Sequence, residues 1–468
     1  MFKYTKAKSL VFEKELNALH QLPIGSYLGQ SLQIISKSES YWKQIVESLK
    51  FLKFLFSKKI ENNEPRIYKK LNSFKKYILI TLIENDNRYK GFILPVCKAL
   101  LEKNESVILI CPSEFLNEKE LSGTNLIKIS WDSFKAKPIN NQFSRIRLFL
   151  FFRTFIQKKF SVFTAFRLFM LCRQQMNCSN NFYLLFNKLK IDFVLTEYDR
   201  STKAAPLIAV ANLKKIPTFT LIHGSVIPPD SYYPFIAKKV LTWGNKQIEI
   251  FNSLGYSKEI FTNVGNNRIY KINYTEQNNL KSALNIGGNV KEKVVTLITN
   301  NLDIKERLKL ASVFMNAVIK IGWIGIIKLH PSEKKGEYHT FNNHLTSRFK
   351  ILSSNEIGNI DLSVITDVFV NHNSVMGIEL LFQQKPVVIL DCIKSNLGIG
   401  LEMVNEGACL IAHNEEELGG AILNAKTNFS INKMQTNTYV HQYFYSNGVE
   451  ATENIINTIS SSFQTKFI

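Results

Sequence analysis

Short apolar runs alternate with longer segments of helical period along most of this chain, and the alternation predicts parallel sheets covered on both faces. The first clear strand is YILITLIE (Tyr77–Glu84), followed by a turn and the helix GFILPVCKALLEKN (Gly91–Asn104). SVILIC (Ser106–Cys111) and NLIKISW (Asn125–Trp131) continue the rhythm. IDFVLTEY (Ile191–Tyr198), PTFTLIHG (Pro217–Gly224), KKVLTWG (Lys238–Gly244) and IFTNVG (Ile260–Gly265) supply further short strands. A polar stretch from Asn266 to Lys293 has little apolar periodicity and is expected to join two domains. The rhythm then restarts with VVTLITN (Val294–Asn300), a helix through Ile321, GIIKLHP (Gly325–Pro331) and FKILSS (Phe349–Ser354). VFVNHNS (Val368–Ser374), PVVILD (Pro386–Asp391) and ACLIAH (Ala408–His413) complete it.

The expected class is therefore α/β, with two doubly wound Rossmann-like domains and a helical N-terminal extension. The expected boundaries are a basic helical extension over 1–76 and a first domain over 77–265 carrying a basic helical insert at 143–190. A linker follows over 266–293, then a second domain over 294–430 and closing helices over 431–468.

Two strand ends about forty residues apart carry the sharpest chemistry, GIIKLHPS (Gly325–Ser332) and VFVNHNSVMGIELLFQQKPVVILD (Val368–Asp391). In an open α/β sheet, ligands sit in the crevice outside the carboxyl ends of the strands, so His330 and the Asn371–Ser374 turn are expected at a common site. Pro331 keeps His330 out of the helical region and at the strand mouth. Lys328, two residues earlier, reads as a packing residue. Ser374 is expected to cap a helix running Val375 to Gln384, whose first N–H groups suit an anion such as a diphosphate. Capping alone explains Asn373 and Ser374, so their phosphate role rests on the pairing with His330. Glu379 falls inside an otherwise apolar helix, where its carboxylate binds a ligand or a buried partner. In the first half, Glu197 and Asp199 end IDFVLTEYD, and His223 ends PTFTLIH. Each of the three is a candidate base, and spacing does not choose among them.

A KLHP strand end, then a Ser-led helix containing Glu and a KPVVILD strand, resembles the nucleotide-binding half of bacterial surface-polysaccharide glycosyltransferases of the GT-B type. Similar layouts occur in CMP-sugar-using sialyl and Kdo transferases and in CDP-polyol phosphotransferases of teichoic-acid synthesis. The segment Ile216–Tyr270, with its HG turn, WG strand end and VGNNR, resembles the end of the N-terminal domain of such enzymes, with Asn267 where proline is usual. The resemblance implies that His330 and Pro331, with Asn373 and Ser374, meet the donor phosphate, and that Glu379 bonds the ribose hydroxyls. It places Arg268 to offset phosphate charge and favours a cytidine donor, either a CMP-sugar or a CDP-polyol. The implied partners are a nucleotide-activated donor as substrate, with no resident cofactor, and a glycan or lipid-linked acceptor in cell-surface polysaccharide synthesis.

Composition changes this picture in one respect. The 468 residues carry a formal charge of +21, which implies an anionic partner such as a membrane leaflet, a polyanionic glycan or nucleic acid. Nucleic acid is the reading from another class, and the absence of any recognised nucleic-acid module argues against it. The basic aromatic segment Phe143–Arg173 either lies on anionic lipid or forms an internal helical layer. Six scattered cysteines without a CxxC pair fit a reducing compartment, and the N-terminus lacks the apolar core of a signal peptide. A cytoplasmic protein, peripheral on the inner face of the cytoplasmic membrane, is the expected location. No DxD pair, GxGxxG fingerprint or phosphate loop occurs, which favours a metal-independent transfer.

Overall fold

In a computed structural model the chain is described at residues 75–134, 178–179, 181–224, 232, 235–268, 277–286, 292–300, 302–344, 348–353 and 355–464. The expected N-terminal helical extension and most of the basic insert, including Phe143–Arg173, lie outside the described residues. The chain divides into two compact units. The first comprises Met1–Trp243, Gln247–Arg268 and Ser446–Ile468, and the second Gly244–Lys246 and Ile269–Tyr445.

The first unit is built on β1 (Lys76–Thr81), α1 (Asn87–Glu102), β2 (Val107–Cys111), β3 (Leu126–Ser130), β4 (Lys190–Thr196), α2 (Ala204–Leu213), β5 (Thr218–Leu221), β6 (Lys239–Thr242), α3 (Asn245–Ser253) and β7 (Phe261–Asn263). Its strands form one sheet in the order β3-β2-β1-β4-β5-β6-β7. Every pairing in it is parallel. β2 is buried at all of its positions, as a strand covered on both faces must be.

The second unit holds α4 (Gln277–Ala283), β8 (Val294–Ile298), α5 (Ile304–Ile321), β9 (Ile324–Lys328), β10 (Phe349–Leu352), α6 (Asn359–Ile365), β11 (Val368–Asn371), α7 (Met376–Phe382), β12 (Val387–Leu390), α8 (Ile399–Asn405), β13 (Leu410–Ala412), α9 (Glu415–Ile431) and α10 (Lys433–Tyr443). The sheet order is β10-β9-β8-β11-β12-β13, again all parallel. The helix α5 is set by Asp303, whose side chain accepts from Lys305 N–H, and ended by Gly322 at φ 68°. Its inner face, Leu310, Phe314 and Val318, packs against Leu297 and Ile327 of the sheet.

The two doubly wound sheets expected from the alternation are thus present, and each strand falls to within a residue inside the run that predicts it. In both sheets the order reverses once, between β1 and β4 and between β8 and β11. Those are the topological switch points, where strand ends can face a ligand. Among the described residues no helix is long and apolar enough to cross a membrane.

The closing segment returns to the first unit as α11 (Gly448–Gln464), which packs on α1. Its entry is pinned by backbone: Asn266 N–H donates to Ser446 O at 2.8 Å and Gly448 N–H to Asn266 O at 3.0 Å. Gly265 sits beside this junction at φ 93°, and a Cβ there would lie 2.3 Å from Ser446 O. Gly255 has a similar φ of 89°, but a Cβ there would meet nothing within 4 Å. Both alanine replacements incur left-handed strain of about 1 kcal/mol or more, but only Gly265→Ala adds a backbone clash. Denaturant titration should therefore show Gly265→Ala to be the more destabilising by at least about 1 kcal/mol. Equal losses would contradict the pinned junction.

Candidate functional site

Beside the switch point of the second unit, β8 and β9 end next to one another, with Ile298 opposite Lys328. The chain past β9 makes a tight turn in which Glu333 N–H donates to His330 O at 2.9 Å. Ser332 N–H donates to His330 Nδ1 at 3.2 Å, with the Ser332 hydroxyl 2.7 Å from the same nitrogen. A nitrogen that accepts from an N–H carries no proton, so the neutral imidazole bears its hydrogen on Nε2. His330 is half-buried, and Nε2–H is a donor suited to a phosphate oxygen.

The β11 end is organised by its own amides. Asn371 Oδ1 accepts from Ser374 N–H at 2.9 Å, and Asn371 Nδ2 donates to Ser374 O at 2.8 Å. This closed turn delays the helix that follows. The expected helix from Val375 to Gln384 is shorter, spanning Met376–Phe382, with Val375 at the N-cap. Ser374 Oγ accepts from Met376 N–H at 3.3 Å, just outside the first helical turn. At the other end Gln384 takes φ 60° and Lys385 N–H reaches back to Leu380 O, a left-handed stop ahead of Pro386. Asn373 meets Asn300, the residue after the β8 end, through their side-chain amides, and donates to Asn396 O at 3.1 Å. His330, Asn373 and Ser374 are therefore all on the carboxyl edge, at β9 and at β11, and Asn300 ties β8 to β11. Pro331 is exposed beside His330, and Glu379 is buried within α7.

Sequence reasoning missed Asn300 and Thr299 here. Asn300 and Thr299 look like an ordinary strand ending. Lys328, read as packing, is an interior ammonium only 4% exposed whose Nζ has no hydrogen-bond partner among the described residues, and burial lowers its pKa to about 8. His372 is also interior: Nδ1 donates to Leu390 O at 2.9 Å, and the buried Nε2 has no partner among the described residues.

The first unit treats its switch point differently. Glu197 is fully buried at the β4 end, where Oε1 accepts from Ile83 N–H at 2.5 Å and Oε2 from Thr81 Oγ1 at 3.0 Å. The side chain thereby closes the gap between β1 and β4. Asp199 Oδ2 accepts from Ile236 N–H at 2.6 Å and Ala237 N–H at 2.8 Å, clamping the approach to β6. His223 is half-buried, with Nδ1 2.6 Å from Glu197 O. A carbonyl only accepts, so Nδ1 holds a proton, and in the neutral ring the lone pair is on Nε2. The rings of Tyr89, Tyr198 and Tyr232 surround the imidazole at 4.9, 5.4 and 5.4 Å. Arg268 lies against the first turns of α1, beside Gly91 and with its guanidinium 5.2 Å from the Phe92 ring centre.

Solved structures share this architecture. The chain is similar to the glycotransferase of kitacinnamycin, with a TM-score of 0.52 and 10% identity over 83% of this chain and 100% of that one. A glycosyltransferase from Rickettsia africae matches with a TM-score of 0.50 and 13% identity over 83% of this chain and 98% of its own. An Anabaena protein solved in complex with UDP and glucose matches with a TM-score of 0.50 and 13% identity over 82% and 99%. The fold is that of GT-B glycosyltransferases, two Rossmann-like domains with all-parallel sheets. No protein-family model matches the chain, and no curated protein sequence matches it.

Burial pushes the Glu197 carboxyl up to about 8, against the opposing Ile83 and Thr81 hydrogen bonds, and that of Asp199 up to about 6. A raised acid pKa means that the folded state holds a proton the unfolded chain has lost. Between about pH 4.5 and 8 the stability gained from Glu197 therefore falls as pH rises, by about 1.4 kcal/mol per pH unit for one proton. Glu197→Gln mimics the protonated acid. Thermal unfolding between pH 5 and 9 should show a shallower decline for this variant than for wild type, and identical slopes would contradict the burial argument.

Proposed function

We propose that this chain is a glycosyltransferase that moves a sugar from a nucleotide-activated donor to a glycan or lipid-linked acceptor in the synthesis of a cell-surface polysaccharide. The observation that carries the reading is the placement of His330 at the carboxyl edge of β9, beside the switch point of a GT-B fold, with the Ser332 N–H facing Nδ1 so that in the neutral ring Nε2 is the donor. In this reading His330, with Asn373 and Ser374, binds the donor phosphate, Pro331 holds the turn, Glu379 serves the ribose and Arg268 adds positive charge. The KLHP resemblance favours a CMP-sugar. The UDP bound to the Anabaena protein makes UDP the comparison to run beside CMP.

His223 is our choice of base among the three candidates. The carboxyl groups of Glu197 and Asp199 are inside the fold and committed to backbone N–H groups, whereas His223 keeps an Nε2 lone pair that can take the acceptor hydroxyl proton. The net charge of +21 supports work on an anionic acceptor or at an anionic membrane face, in the cytoplasm.

The two roles separate experimentally. A thermal-shift panel of CMP, CDP, UDP and GDP should identify the nucleotide, because a ligand bound only by the native state raises its stability. His330→Ala should weaken that nucleotide by roughly tenfold or more, the cost of one hydrogen bond to a charged group. His223→Ala should leave nucleotide affinity in place and slow transfer by roughly a hundredfold or more. Unchanged nucleotide affinity in His330→Ala, or undiminished transfer in His223→Ala, would refute the corresponding assignment.

A further inference from the structure

Behind His330 lies a polar network made entirely of interior groups. The backbone N–H of His330 donates to Thr299 Oγ1 at 3.0 Å. The Thr299 hydroxyl lies 2.8 Å from Glu333 Oε2 and 3.0 Å from Lys328 O. Tyr338 OH donates to the same Glu333 oxygen at 2.8 Å, and Arg307 Nη1 stands 3.5 Å from it. Thr299, Glu333 and Tyr338 are all buried, and among the described residues Glu333 Oε1 has no hydrogen-bond partner. Thr299 and Tyr338 both donate to the one oxygen, Oε2, and the His330 backbone also favours the charged carboxylate. A hydroxyl has one hydrogen, and although burial raises the Glu333 pKa, the Thr299, Tyr338 and Arg307 groups around its carboxyl favour the charged form, a stronger acceptor than a backbone carbonyl. The Thr299 proton is therefore drawn to Glu333, which leaves a hydroxyl lone pair for the His330 N–H.

We infer that Thr299, with its hydroxyl oriented by Glu333, is a positioning residue for His330: it fixes the backbone at the strand mouth and so sets where Nε2–H meets the donor phosphate. The inference rests on the reading of His330 as a phosphate ligand. Thr299 makes no contact with substrate and acts through the peptide of His330 alone. Its effect must then vanish once the imidazole is removed, which is not true of a residue that only stabilises the fold.

The test uses the full chain and isothermal titration with whichever of CMP, CDP and UDP binds wild type most tightly. Thr299→Val removes the hydroxyl at constant shape and should raise the dissociation constant about tenfold with stoichiometry unchanged, while Thr299→Ser should stay within about twofold of wild type. In the His330→Ala background, Thr299→Val should add nothing. If His330→Ala weakens binding but Thr299→Val does not, the relay is wrong and the phosphate reading stands. If the two losses simply add, or Thr299→Val lowers stoichiometry rather than affinity, Thr299 is a structural residue and the inference fails. If His330→Ala itself binds as wild type does, the reading of the site falls, and the inference with it.

Discussion

The reversal of strand order in each parallel sheet is the constraint on which the rest of this molecule depends. In the strand orders of the two sheets the direction of winding reverses between β1 and β4 and between β8 and β11, and at such switch points strand ends can face a ligand. The two units answer the same geometry in opposite ways. In the first, the buried Glu197 side chain spans the gap and ties β4 to Thr81 and Ile83. In the second, the gap is bordered by short neutral amides, Asn300 and Asn373, and flanked by His330. A site for a ligand with many hydrogen-bonding groups needs the second arrangement, because polar edges already consumed by a buried carboxyl have nothing left to offer.

The same logic sets the chemistry of the histidines. A single backbone group facing Nδ1 decides which kind of partner Nε2 can take. For His330 that group is the Ser332 N–H, which forces the proton to Nε2 and makes the imidazole a donor. For His223 it is the Glu197 carbonyl, which leaves Nε2 as an acceptor. One fold can therefore present a donor and an acceptor from the same residue type, according to the tautomer each neutral imidazole adopts.

The sheets are legible in the chain because a strand buried on both faces has no choice but a continuous apolar run, as in VILIC and VVTLI. His330 is legible because Pro331 marks where its strand must stop. Thr299 and Glu333 are not: a β-branched residue ending a strand and a glutamate in a turn are commonplace, and their meaning comes from Tyr338 and Arg307, which lie on other elements. Spacing does not rank the three base candidates because burial and the Ile83, Ile236 and Ala237 N–H groups are tertiary facts. The helix after Ser374 is shorter than its apolar pattern for a similar reason, since Asn371 closes a turn that sequence shows only as polar residues.

The central claim, that the carboxyl edge of the second sheet around its switch point holds the donor nucleotide, is tested most directly by hydrogen–deuterium exchange on the full chain with and without a saturating nucleotide chosen by thermal shift. The account predicts slowed exchange in peptides covering 298–300, 328–334 and 371–377, with the strand ends of the first unit unchanged by nucleotide alone. Protection confined to 81–83 and 196–200, or none in the second unit at saturation, would contradict it.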